Sequence, residues 1–369
     1  MKNMELRILG IVQFCIKIWI GCFFVFSSVD LLAVPPNSTH SSSKDSIAKE
    51  SFFNSSELLE FTLEADFVTL LNDIDKSRKY HKSQISYRNQ QNQAIDLNVK
   101  IKTRGKFRLR KQNCNFPPLK FNFSKEGAKG TIFAGQDKLK FVSHCQNDDL
   151  MYEQHTLEEY LIYRIYNLIT DNSFRVRLAR ITYVDRNTSD SLTRFGFFVE
   201  DRDQMAKRLG RSILEYKNIQ QYDVLRSNMI QLSLFQLMIG NTDWSVEKLH
   251  NIDLISIDDN SIPLAIPFDF DWSGLIGHSY FVPDPKIDPE AKYQRIYKSY
   301  QWNKDDLEKA IQRYLLLKDD LFLFVNTFPY LNLSNREKCI HYLSEFYEII
   351  ESKRNIKNYL VKGLPKIPN

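Results

Sequence analysis

Residues 240–274 run GNTDWSVEKLHNIDLISIDDNSIPLAIPFDFDWSG, and two apolar segments stand out within them, NIDLISI (251–257) and SIPLAIPF (261–268). Asp258-Asp259-Asn260 between them is a turn-forming cluster, so the pair reads as an antiparallel hairpin. Centring the turn on residues 259–261 sets Asn251 opposite Asp269, and both polar side chains meet at the open end of the hairpin. Asp243 stands eight residues ahead of Asn251, and Asp271 follows Asp269 by two. Oxygen ligands of this kind suit Mg²⁺ or Mn²⁺, which keep several waters and bridge to substrate phosphates. A further Asp close by, not needed on the metal, accepts a proton from a hydroxyl nucleophile. That division of labour is the one phosphoryl transfer from ATP requires, with Asp243 as base and Asn251 and Asp269 as metal ligands. Asp271 reads either as a supplementary metal ligand or as a helix cap. The plain alternative is that all four are turn and capping residues at strand ends. Their order and the hairpin geometry together favour a site.

Outward from the hairpin, the two halves of the chain differ. LEFTLEADF, SQISYRN, AIDLNVKIKTRG, FPPLKFNF and KLKFVSH alternate polar and apolar residues at period two up to about residue 144. A helix follows around EEYLIYRIYN, and then RLARITYVD and RFGFFVED read as two further strands. Beyond Asp201, residues 203–209, 227–240, 304–328 and 335–361 all carry helical periodicity. The reading is an α+β chain with an antiparallel-sheet-rich first lobe (51–200) and a helical second lobe (201–369) that carries the small hairpin.

The chain has 369 residues, 43% of them hydrophobic, enough for a large core. With 50 Lys+Arg against 45 Asp+Glu it is too weakly basic for a surface that coats nucleic acid, which sets nucleic acid aside as a partner. Residues 1–33 combine Lys2 and Arg7, an apolar run and a small residue at Ala33, the order of an export signal; Lys17 within the run leaves an uncleaved membrane anchor as the alternative. No other segment approaches membrane-spanning length. Residues 34–50 are a polar, Ser-rich linker expected to be disordered. In an oxidising compartment, Cys114, Cys145 and Cys339 suggest one disulfide and one buried thiol, with Cys114–Cys145 preferred because both flank strands of one region.

The order of strand-rich lobe, helix, Asp243, Asn251 opening an apolar strand and Asp269-Phe270-Asp271 resembles protein-kinase-like folds, most closely the secreted spore-coat CotH kinases. The resemblance spans roughly residues 95–280. Its carriers are Arg104-Gly105, Lys120 in PPLKFNF, the EEYLIYRIYN helix, FGFFVEDRD as the lobe connection, GNTDW, HNIDLI and IPFDFDWSG. It implies binding of ATP with Mg²⁺ or Mn²⁺ and phosphate transfer to Ser or Thr of a protein substrate. Asp243 takes the place of the base, and Asn251 and Asp269 those of the metal ligands. The phosphate lysine stays open between Lys120 and Lys140, and its helix partner among Glu153, Glu158 and Glu159. Arg104 stands where a phosphate-binding glycine loop is missing, and Glu200 lies in the lobe connection beside the nucleotide. The gap of eight between base and Asn departs from the five of ordinary kinases and needs an inserted loop. Two other functions fit parts of the pattern. One is a non-catalytic kinase-like module that binds nucleotide or protein without transferring phosphate. The other is an aspartyl-nucleophile phosphatase, whose nucleophile strand ends in Asp-x-Asp as IPFDFD does but lies in a parallel sheet.

Overall fold

A computed structural model describes residues 52–258, 260–278 and 295–368. The export signal and linker read from residues 1–50 lie outside the described residues. No helix among the described residues is long and apolar enough to cross a membrane.

Seven strands make the first half: β1 (Leu59–Ala65), β2 (His81–Arg88), β3 (Ala94–Thr103), β4 (Leu119–Phe123), β5 (Lys138–Val142), β6 (Val176–Asp185) and β7 (Ser191–Val199). They close into a barrel in the order β1-β2-β3-β4-β5-β7-β6. Every pair is antiparallel except β1 with β6, which run parallel with Leu59 opposite Ala179. Alternation explains the interior, because residues two apart share a face. Along β1, Leu59, Phe61, Leu63 and Ala65 are all buried. Phe198 on β7 sits among the rings of Phe61, Phe121, Phe133 and Phe141, with centroids 4.8–6.3 Å away. The sheet-rich reading holds, and closure into a barrel is what it lacked.

Two short helices, α1 (Phe67–Asn72) and α2 (Lys125–Ala128), interrupt the strands. The long helix α3 (Leu150–Ile169) starts at Asp149, whose carboxylate accepts the Met151 N–H at 2.8 Å. Its apolar residues Leu157, Leu161 and Ile165 join the same core as the second half of the chain. That half contains α4 (Arg202–Arg208), β8 (Ser212–Leu214), α5 (Arg226–Ile239), β9 (Ile252–Ser256), β10 (Leu264–Pro267), α6 (Lys304–Leu316), α7 (Lys318–Thr327), α8 (Leu333–Glu351) and α9 (Lys353–Leu360).

Three details differ from the sequence reading. The helical runs over 304–328 and 335–361 each divide in two. The first breaks at Leu317, and the second at Ser352, whose hydroxyl accepts the Asn355 N–H as a new N-cap. The hairpin gains a third strand, β8, paired antiparallel to β9. Its register pairs Ile252 with Pro267, so Asn251 faces Phe268 and not Asp269. The three-stranded sheet is wholly antiparallel, with β10 at its edge. This removes the phosphatase reading, which needs that strand inside a parallel sheet.

Candidate functional site

The helix α5 ends at Gly240, in the left-handed region at φ 64°, and the chain turns sharply into Asn241. Asn241 Oδ1 accepts the Asp243 N–H at 2.9 Å, and its carbonyl accepts the indole N–H of the fully buried Trp244. From the other side, the Lys298 ammonium donates to the carbonyls of Thr242 (2.7 Å) and Trp244 (3.0 Å). Asp243 is therefore presented from a loop anchored at both flanks. The eight-residue interval to Asn251 is absorbed by a small closed loop, where Ser245 and His250 exchange backbone hydrogen bonds of 2.9 and 3.0 Å.

Both carboxylate oxygens of Asp243 are engaged by that loop's far end. Oδ1 lies 2.8 Å from His250 Nε2, and Oδ2 accepts from Asn251 Nδ2 at 3.1 Å. Asn251 Nδ2 also donates to the Asp243 carbonyl at 2.7 Å. With its nitrogen committed to Asp243, the Asn251 side chain has its oxygen left to offer a ligand. His250 is thus a direct partner of the candidate base.

The sheet ladder stops at Ile252 and Pro267, and the next residues depart from strand geometry: Asn251 has φ 52° and Asp269 φ 63°. Asn and Asp tolerate this left-handed region better than other residues, and strain of this kind concentrates at functional sites. The Asp269 N–H donates to the Tyr163 hydroxyl of α3 at 2.8 Å, which fixes the turn from outside the sheet. The Asp269 carboxylate has no hydrogen bond or ion pair to the described residues.

Behind Asp269 lies a buried ionic cluster. Arg108, from the segment between β3 and β4, donates through Nη2 to Glu159 Oε2 at 3.2 Å and to Asp271 Oδ2 at 2.6 Å. Burial pushes both carboxyls upward, and the Arg108 charge between them opposes that shift. Asp269 adds like charge to both, and Asp243 lies within electrostatic reach of Asp271. Of the three α3 glutamates left open by the sequence, only Glu159 joins this cluster. Glu153 accepts the Phe195 N–H at 2.6 Å, and Glu158 pairs with Lys338 and Asn335. Asp271 is neither a plain helix cap nor a free ligand, since Arg108 holds it.

Lys102, Lys120 and Lys140 stand side by side across β3, β4 and β5. Lys140 has Asp253, Asp269 and Asp201 all within electrostatic reach, and its ammonium lies 5.4 Å from the Phe268 ring centroid. Burial, seconded by the charge of Arg104, lowers its pKa. Lys120 is lowered by burial as well, and Asp201 is the acid that raises it. Asp253 is an acid the sequence reading passed over. It is buried on the apolar strand β9 and pairs with Arg202 at 2.8 Å, and burial raises its carboxyl. A lone acid inside NIDLISI was its only sequence signal. Glu200 is not brought to this group. Its carboxylate is held by Arg208 at 3.0 and 2.9 Å and accepts the Arg175 N–H at 3.0 Å.

Among the described residues no cluster of three or more His, Cys, Asp and Glu is arranged to hold a metal. The donors here are one unengaged carboxylate and one amide oxygen, a sparse set of the kind Mg²⁺ accepts while keeping waters and substrate phosphates in its shell.

No family model matches this chain, and no curated protein sequence does. It is similar to two solved structures of the Golgi casein kinase. One, with Mn and ADP bound, is 9% identical with a TM-score of 0.36, over 89% of this chain and 81% of that chain. The other is 9% identical with a TM-score of 0.33, over 88% of this chain and 82% of that chain.

Proposed function

We propose that the chain is an exported, CotH-like kinase that transfers the γ-phosphate of ATP to Ser or Thr hydroxyls of a protein. The observation that carries this reading is the grouping of Asp243, Asn251 and Asp269 at the open end of one hairpin, each held by a different local device. Left-handed backbone at Asn251 and Asp269 and the unengaged Asp269 carboxylate fit a divalent cation. In this reading Asn251 and Asp269 hold Mg²⁺ or Mn²⁺, which neutralises phosphate charge when bound. Lys140 binds the phosphates, with Lys120 and Arg104 adding positive charge at the same end of the barrel. Asp243 accepts the proton of the acceptor hydroxyl, and His250 and Asn251 fix its two oxygens. Glu200 is left out, because Arg208 occupies its carboxylate. The disulfide described below accords with export into an oxidising compartment.

The test is incubation of the purified protein with labelled ATP and Mn²⁺ and a mixture of exported proteins, alongside Asp243→Ala and Asp269→Ala. Label from wild type alone supports transfer through these residues. Label appearing equally in all three refutes the assignments. No label from wild type, with nucleotide-dependent thermal stabilisation lost only in Asp269→Ala, moves the reading to a nucleotide-binding protein without transfer.

A further inference from the structure

Arg108 lies in the basic run KFRLRK (106–111), yet its side chain is buried between two carboxylates. Those carboxylates come from elements far apart in the chain. Glu159 belongs to α3, and Asp271 closes the Asp-Phe-Asp segment two residues after the candidate ligand Asp269. The arginine reaches this place because its segment is secured on both sides. The Phe107 ring packs edge-on to Trp272 at 5.5 Å, beside Asp271. Six residues on, Cys114 is disulfide-bonded to Cys145 beyond β5. Around that bond, the Phe116 N–H donates to the Cys145 carbonyl at 2.9 Å, and Gln146 Nε2 donates to the Asn113 carbonyl at 2.9 Å. Neither Lys120 nor Lys140 has a carboxylate within ion-pair distance among the described residues, so no strand lysine does this work.

From this geometry we infer that Arg108 is a positioning residue of the site: by tying Glu159 to Asp271 it fixes the Asp-Phe-Asp segment and with it the Asp269 carboxylate. The inference rests on the kinase reading above. Without Arg108 the cation that ties Glu159 to Asp271 is gone, and the segment that carries Asp269 loses this anchor to α3. The lysines of the barrel are then left for phosphate, a division of labour in which one cation holds carboxylates and others hold substrate. Small displacements of a ligand-bearing segment slow a reaction without abolishing binding, since about 1 Å of misplacement costs on the order of 100-fold in rate.

The experiment compares wild type, Arg108→Gln and Arg108→Lys in the Mn²⁺–ATP transfer assay, with near-UV circular dichroism giving the folded fraction. The expected result for Arg108→Gln is a kcat lowered on the order of 100-fold with the KM for ATP changed less than about threefold. Arg108→Lys keeps a donor cation and is expected to recover about a tenth of the wild-type rate. Should Arg108→Gln fail to fold, Arg108→Lys alone decides. A rate per folded molecule equal to wild type in either variant, with wild type active, overturns the positioning role and leaves the kinase reading standing. Loss of kcat and ATP affinity in equal measure overturns it as well, because that pattern marks a general structural effect. No transfer by wild type overturns both readings.

Discussion

Two glycines close the candidate site. Gly240 opens the segment that carries Asp243, and Gly274 ends the one that carries Asp269; the Gly274 N–H donates to the Gly240 carbonyl at 3.1 Å. Tyr342 of α8 sits against both. A Cβ added at Gly274 would stand 2.3 Å from the Tyr342 hydroxyl oxygen and 3.2 Å from its Cζ. At Gly240 the same oxygen would be 1.9 Å away. The ring is not free to swing aside, because the Arg295 guanidinium lies 3.7 Å from its centroid and bonds to the Tyr342 carbonyl. Overpacking of this kind costs about 1–3 kcal/mol. Gly274→Ala is therefore expected to destabilise the protein by about 2 kcal/mol. In a Tyr342→Phe background the colliding oxygen is gone and the nearest ring atom is at a tight but tolerable distance, so the same change should cost under about 1 kcal/mol. The coupling between the two substitutions is then about 1–2 kcal/mol. Gly240→Ala behaves differently, because its φ of 64° adds a left-handed penalty of about 1–2 kcal/mol that Tyr342→Phe does not relieve. Urea unfolding followed by circular dichroism measures all six proteins, with equal m-values as the condition for comparison. A Gly274–Tyr342 coupling below about 0.3 kcal/mol, or an equal residual cost of the two alanines in the Tyr342→Phe background, would refute this account.

The disulfide between Cys114 and Cys145 closes a loop with a sequence separation of 31, for which chain entropy gives a stabilisation of about 4 kcal/mol. Cys114→Ser/Cys145→Ser should lower the guanidinium midpoint accordingly, and an unchanged midpoint counts against a structural role. His144 is buried beside Phe116 and Tyr183, and burial lowers its pKa to about 4. The unfolded chain takes up this proton near pH 6.5 and the folded one does not, so stability falls as pH drops from about 6.5 toward 4, by up to about 1.4 kcal/mol per pH unit. Its ring proton resonances should stay flat between pH 7.5 and 5.5, and a titration near 6.5 would contradict the burial argument. Glu200→Gln and Lys140→Met separate two residues that the sequence placed in one nucleotide-binding group. Glu200→Gln breaks the buried pair with Arg208 and should cost about 3–5 kcal/mol in urea unfolding. Its nucleotide-dependent thermal shift should be unchanged, whereas Lys140→Met should lose that shift with little change in stability.

What could be read in the sequence were the features that repeat locally. Period-two alternation marks β1 to β5 because each has one face in the barrel interior, and the Asp-Asp-Asn turn marks the hairpin because those residues supply turn geometry by themselves. Features that depend on residues distant in the chain had no such signature. The parallel pairing of β1 with β6 closes the barrel through residues such as Leu59 and Ala179, whose side chains look the same whether their strand is at an edge or within a closed sheet. Arg108 is the sharper case, because a basic run is solvated by default and only the fixed ends of its segment turn this arginine inward. The hairpin register shows how the two kinds of information interact. Symmetric counting from the turn puts Asn251 opposite Asp269, but the observed register brings Phe268 opposite Asn251 just beyond the ladder, and one residue of slip ordinarily sends a side chain to the other face. Here both residues leave the strand conformation at the point where pairing stops, so strand alternation no longer dictates where their side chains point. Asn251 is turned by its bonds to Asp243, and Asp269 by the Tyr163 hydroxyl. The site therefore depends less on the hairpin that suggested it than on the two left-handed residues that end it. Asn and Asp are among the few residue types that can serve as oxygen ligands and also occupy that backbone region at low cost.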